Sequence, residues 1–185
     1  MSVLPITLYG DKILKKKAKP INKVDNTVIR LIQNMFDTMD NADGIGLAAN
    51  QVGSDKAVFI LDLSHIKDFE KTKPLVIINP KIVNRSEELS VMEEGCLSIP
   101  QVRADVERPS SIKIVFQDIQ LKEHEMETDG LMARVMQHEF DHLCGIYFVD
   151  RLSEMKQKEL KEILKKIKNR ALKFEYPITE KDLSQ

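Results

Sequence analysis

The sequence predicts an α+β fold in one domain. Mainly antiparallel strands pack around a central helix carrying His-Glu-x-x-His, with an N-terminal helix and a long C-terminal helix. Three observations predict it. The chain has 185 residues, which suits a single domain with one sizeable core. Its periodic segments run helix, strands, helix, helix, without the strand-helix-strand alternation of a parallel sheet. No internal repeat or compositional break divides it, so residues 1–185 read as one catalytic domain.

In chain order, "NKVDNTVIRLIQNMFDTMDNADG" places Val28, Leu31, Ile32, Met35, Phe36 and Met39 at helical spacing. Asp25 or Asn26 is its N-cap, and Gly44 lies beyond its end. "GIGLAANQVG" follows as a small-residue loop. The short, β-branched runs "KAVFILDL" and "PLVIINPKIV" are strands, joined by the polar loop "SHIKDFEKTK". After "MEEGCLSIP", the segments "SIKIVFQ" and "IQLKEHEMET" read as antiparallel strands. Thr128 or Asp129 then caps a helix through "GLMARVMQHEFDHL", closed by Gly145. An amphipathic basic helix is expected within 151–175, with Met155, Leu160, Ile163, Leu164 and Ile167 as its apolar stripe. Residues 176–185 form a tail.

Composition narrows the function classes. At 42% hydrophobic and 31% charged, with seven Gly and seven Pro, the chain is ordinary globular material. No apolar run approaches the ~18 residues of a membrane span, so no membrane partner is expected. The start, "MSVLPITLYGDKILKKK", does not read as a secretory or transit signal. Two cysteines without such a signal point to thiols in a reducing, cytoplasmic setting. The net charge of −1 is uneven. Arg151 to Lys173 holds nine basic and three acidic residues, a local +6 that leaves −7 elsewhere. Such a segment suits a polyanion or a solvated helix face.

The chemistry sits in "QHEFDHLCG", Gln137 to Gly145. His138 and His142 are one helical turn apart, so both rings can reach one ion. Leu131 and Val135 continue that face toward the core. Glu139 is turned about 100° away, where it could act on a water as a general base without ligating the metal. A catalytic site of this kind normally takes three protein ligands. A metzincin-like third histidine is ruled out, because Phe148 occupies that position. Glu162 has the spacing of a thermolysin-like ligand but lies in "KELKEILKK", an ordinary charged face. Cys144 points away from both imidazoles and reads as a small buried hydrophobe. Cys96, in "EEGCLSIP", belongs to a separate segment free to approach across a pocket.

Taken together, three motifs resemble the peptide deformylase family. They are "GIGLAANQ" (Gly44 to Gln51), "EGCLS" (Glu94 to Ser98) and "QHEFDH" (Gln137 to His142), in that order. The resemblance runs from "ITLYGDKIL" to the helix after "GIYFVDRL". This chain departs in lacking a glycine near Gln120 to Lys122, in an extended loop around Lys67 to Lys73, and in a tail after Tyr176.

The resemblance implies that Cys96, His138 and His142 hold one divalent metal, with Fe²⁺ as the usual ion and Ni²⁺ or Co²⁺ as working substitutes. The donor set alone suits Zn²⁺ equally. It implies removal of the N-formyl group from formyl-methionyl nascent peptides, with Glu139 as base. Gln51 and the Leu97 backbone N–H would be the oxyanion donors. The peptide would lie as an added strand beside Ile45, Gly46, Glu94 and Gly95, with Leu131, Arg134 and Val135 lining the methionine pocket. Asp141 would either steady a ligand or cap a loop. The chain is expected to be monomeric, with its basic C-terminal helix docking on the ribosome. Two alternatives remain: a metallopeptidase using Glu162 as third ligand, and a catalytically silent binding protein.

Overall fold

A computed structural model describes residues 2–181. Helix α1 spans Asn26–Asn41. Asp25 caps it, accepting from the N–H groups of Thr27 and Val28 at 3.0 Å each, which sets where the helix begins. The strands are β1 (Gly46–Ala48), β2 (Val58–Leu61), β3 (Leu75–Arg85), β4 (Leu89–Cys96), β5 (Ile99–Pro109), β6 (Ser111–Gln117) and β7 (Glu123–Asp129). Helices α2 (Gly130–Leu143) and α3 (Glu154–Lys168) follow. One antiparallel sheet has the order β1-β2-β3-β6-β7, and β4 pairs with β5 in a separate hairpin. The α+β expectation holds. Among the described residues no helix is long and apolar enough to cross a membrane.

Strand alternation decides the packing. Val58 and Ile60 of β2 join Ile32, Met35 and Met39 of α1, while Phe59 and Leu61 join Ala133, Val135 and Met136 of α2. The sheet is therefore held between the two helices, and α2 lies against its inner face. A third cluster joins Val102, Ala104 and Val106 of β5 to Tyr147, Phe148, Leu164 and Ile167. Tertiary packing thus carries α3 through its last two turns.

Several local expectations change. "GIGLAANQVG" is not all loop: Gly46–Ala48 pairs with β2 in the register Gly46↔Leu61, and Ala49–Val52 forms a 3₁₀ turn. β5 was not expected as a strand, because outward Arg103, Asp105 and Glu107 mask its inward apolar alternation. The final helix covers only Glu154–Lys168 of the expected 151–175. It stops because Arg170 turns left-handed (φ 55) and the apolar period beyond it changes from helical to two. Met155 is 70% exposed and leaves the apolar stripe. Asp129 occupies the N-cap position of α2 without a capping side-chain bond. At the turn lacking its glycine, Leu121 adopts φ 60 and packs against the α1 cluster. The last four residues of the expected tail lie outside the described residues.

Gly145 closes α2 as expected, at φ 78. A Cβ there would sit 2.6 Å from the Lys15 carbonyl oxygen, which is backbone and cannot swing aside. Gly145→Ala is expected to cost about 2–3 kcal/mol from left-handed strain plus overpacking, read from urea unfolding. A loss below about 0.5 kcal/mol would show that the turn relaxes freely.

Candidate metal centre

Two elements far apart in sequence bring three metal-binding groups together. His138 and His142, one turn apart on α2, place their ring centroids 5.0 Å from each other. Cys96 ends β4 where the pairing with β5 shifts, from Gly95↔Arg103 to Cys96↔Ile99. That tight turn swings the thiol toward α2. Its Sγ lies 3.2 Å from His142 Nε2, and the ligand atoms of all three residues lie within 4.8 Å of one another. Glu162 sits on the exposed face of α3, outside this cluster. Cys144 is the half-buried C-cap of α2 and is likewise outside it.

The residues around the trio orient it. Strand alternation puts Glu94 on the same side of β4 as Cys96. Its Oε2 accepts from His138 Nδ1 at 2.8 Å, which fixes the tautomer and leaves Nε2 for a ligand role. The same carboxylate accepts from Arg108 at 2.6 and 2.9 Å and from Arg134 at 2.9 Å. Burial pushes the Glu94 carboxyl up, but Arg108 and His138 overcome it and hold it well below the usual carboxylate range. Asp141 then accepts from Arg108 at 2.6 Å and from Arg151 through both oxygens. Asp141 is thus linked to His138 through Arg108 and Glu94 in turn.

Burial holds His142 well below its ordinary pKa, reinforced by His138 and Arg108, so its ring is neutral. A neutral imidazole is the form a metal needs. Its Nδ1 and Glu139 Oε2 are buried polar atoms with no hydrogen-bond partner among the described residues. One thiol, two imidazoles and these unsatisfied atoms fit a borderline divalent metal with water or substrate beside it, and fit Mg²⁺ or Ca²⁺ poorly.

Glu139 is buried next to this space, and burial raises its carboxyl to about 7. A Cβ on Gly46 would meet Glu139 Oε1 at 2.7 Å, so only glycine lets β1 pass so close. Gln51 projects from the 3₁₀ turn. Its Oε1 accepts from the Ala48 N–H at 2.8 Å, which aims Nε2 toward Cys96 Sγ (3.6 Å) and Ser98 Oγ (3.3 Å). Cys96 and His138 open on a cleft of about 720 Å³ that Gln51 and Glu139 also line. Gly46 and Gly95 line it from the strands, Ile45 from the bend before β1, and Leu131 and Val135 from α2. Glu94 and Arg134 also reach its wall, but their charged ends engage each other and the hairpin. They are better placed to hold the wall than to bind a ligand.

Sequence reasoning missed four contributors. Arg108 is 2% exposed and continues the inward alternation Val102, Ala104, Val106. A charged residue at that step was the available signal. Asn50 donates to the His142 carbonyl, a contact with no local signature. Phe174 and Tyr176 line the cleft, although their segment was expected to be helix end and tail.

Known proteins share this sequence and fold. A family model described as polypeptide deformylase matches residues 3–158. The peptide deformylase of Chlorobaculum parvum is 46% identical over 95% of this chain and 94% of its own. That of Salinibacter ruber is 41% identical over 97% and 96%. Among solved structures, plant peptide deformylase PDF1B superposes with a TM-score of 0.84 at 37% identity, covering 91% of this chain and 90% of that one. The Synechococcus elongatus peptide deformylase in complex with actinonin gives 0.81 at 39%, covering 95% and 92%. With the Cys-His-His trio, the buried glutamate and a family match over most of its length, the chain belongs to the peptide deformylase family.

Proposed function

We propose that this protein removes the N-formyl group from the formyl-methionine of newly synthesised polypeptides, releasing formate, with Glu139 as its general base. The observation that carries the mechanism is a single arrangement. A buried carboxylate raised to about 7 shares one cleft with Cys96, His138 and the Gln51 amide, and His142 meets Cys96 at 3.2 Å to complete the trio.

Cys96, His138 and His142 would hold one divalent ion, Fe²⁺ in cells and Zn²⁺, Ni²⁺ or Co²⁺ after purification. Such an ion supplies Lewis acidity, making water more acidic and polarising the formyl carbonyl. Glu139 takes a proton from the attacking water as its oxygen bonds to the formyl carbon. Charge gathering on the former carbonyl oxygen is met by Gln51 Nε2 and the Leu97 N–H. Glu139 then gives the proton to the amine nitrogen as the C–N bond breaks, leaving formate and a free N-terminus. The raised pKa suits both transfers, since the same group must gain and lose a proton near neutrality.

The peptide lies as an added strand along Gly44–Gly46 and Gly95, so main-chain bonds hold varied sequences. Leu131 and Val135 offer an apolar site for the methionine side chain, beside Arg134. The metallopeptidase alternative loses support because Glu162 is exposed on α3 and Cys96 completes the trio. A silent binding protein would have no use for a buried carboxylate with one oxygen left without a partner. The protein is expected to act as a monomer in the cytoplasm.

Glu139→Gln is expected to lower formate release from formyl-Met-Ala-Ser by about 100- to 10,000-fold with metal content unchanged. Full activity in that variant would remove Glu139 from the mechanism. Elemental analysis separates the ligand sets. Cys96→Ala should lose its metal, whereas Glu162→Ala should keep it, and the reverse would restore the peptidase reading.

Ribosome docking through α3 is tested by charge instead of truncation, because Leu164 and Ile167 belong to the core. Replacing exposed Lys158, Lys161 and Lys165 by glutamate should abolish co-sedimentation with ribosomes while sparing formate release. Undiminished co-sedimentation would rule this face out.

A further inference from the structure

Beyond α3 the chain forms an extended strap with a two-residue period. Leu172, Phe174, Tyr176 and Ile178 are partly buried against the β5 cluster, and Lys173, Glu175 and Pro177 are exposed. Both ends are tied down. Arg170 donates to both Asp11 oxygens at 2.7 and 2.8 Å. The Ile6 N–H donates to the Pro177 carbonyl at 2.9 Å, and the Thr179 N–H to the Ile6 carbonyl at 3.0 Å. Between these anchors, two bonds reach the cleft. Gln101 Nε2 donates to the Lys173 carbonyl at 3.1 Å, and the Tyr176 hydroxyl donates to the Leu97 carbonyl at 2.6 Å. Lys173 to Tyr176 therefore line the same cleft as Cys96, His138 and Glu139. The family match ends at residue 158, so this wall lies outside it.

We propose that Lys173–Tyr176 is a specificity-determining wall, in which Phe174 contacts the peptide residues following the formyl-methionine and Tyr176 positions the Leu97 main chain. This rests on the deformylase reading. An added strand presents alternate side chains to opposite sides. The apolar α2 wall at Leu131 and Val135 takes the methionine, which leaves the strap to meet later side chains. Its base is aromatic, and its rim carries one charge of each sign, Lys173 and Glu175. It therefore selects an apolar neighbour without selecting net charge. Tyr176 acts differently. By gripping the Leu97 carbonyl it restrains the two-residue turn between Cys96 and Ile99, which also carries the Leu97 N–H.

The test compares formyl-Met amide, too short to reach beyond the methionine site, with formyl-Met-Leu-Leu amide on the metal-loaded full chain. Phe174→Ala should lower kcat/KM on the longer substrate about tenfold, through KM, and leave the short one within about twofold. Tyr176→Phe should lower kcat about fivefold on both substrates with KM unchanged. An equal effect of Phe174→Ala on both substrates, or none on either, overturns the contact. An unchanged kcat in Tyr176→Phe overturns the positioning role. If Phe174→Ala unfolds, Phe174→Leu makes the same comparison, with about a threefold effect expected. Calorimetry on the metal-loaded Glu139→Gln protein, with and without Phe174→Ala, reads binding of both peptides independently of turnover. Absence of formate release by the wild type would reject the deformylase reading, while the calorimetric comparison would still judge the strap.

Discussion

Glu94 divides its two carboxylate oxygens among Arg108, Arg134 and the His138 ring, all four groups being buried. Such a charge cannot stand alone in the interior. Removing one partner of a buried pair costs about 3–5 kcal/mol, because the charge left behind has lost its water. The network therefore locks the β4–β5 hairpin to α2. That lock has a chemical consequence, since Glu94 and Cys96 share one face of β4. Wherever Glu94 is held, the thiol is held too, beside His142. The carboxylate also keeps the proton on His138 Nδ1, so the opposite nitrogen faces the trio.

The second constraint is close backbone approach. β1 threads between α1 and α2 with Leu47 packed in the α1 cluster and Ala48 in the α2 cluster, and Gly46 leaves room for the Glu139 carboxylate. The resulting burial raises that carboxyl to about 7. Close packing, needed anyway to seal the core over α2, thus tunes the group proposed as the general base. Fixed donors gain from the same dryness. Gln51, held by the Ala48 N–H, is fixed in advance, which the proposed oxyanion role requires.

The C-terminal region is bound into this arrangement and is no appendage. Arg151, just before α3, closes on Asp141 and so on the Arg108–Glu94 chain. Leu164 and Ile167 complete the β5 cluster, and the strap beyond them crosses to Leu97 and Ile6. The face of α3 turned to solvent stays basic, while its inner face carries fold stability. A change in this region can therefore act on either, according to the face it touches.

The sequence by itself determined whatever depends on neighbours a few residues apart. Asp25 capping α1, the one-turn spacing of His138 and His142, and the left-handed Gly145 follow from local backbone and side-chain geometry. Its three motifs also carried the family and the trio. Tertiary structure decided what requires a partner from elsewhere. Three residues of β1 become a strand only because β2 supplies the ladder. Arg108 can occupy an inward strand position only because Glu94 and Asp141 meet it there. α3 ends where Arg170 turns left-handed and is held by Asp11 across 159 positions of sequence. A buried charge, a short strand and a helix end are each stable or costly according to who pairs with them, and pairing across such distances leaves no periodic trace.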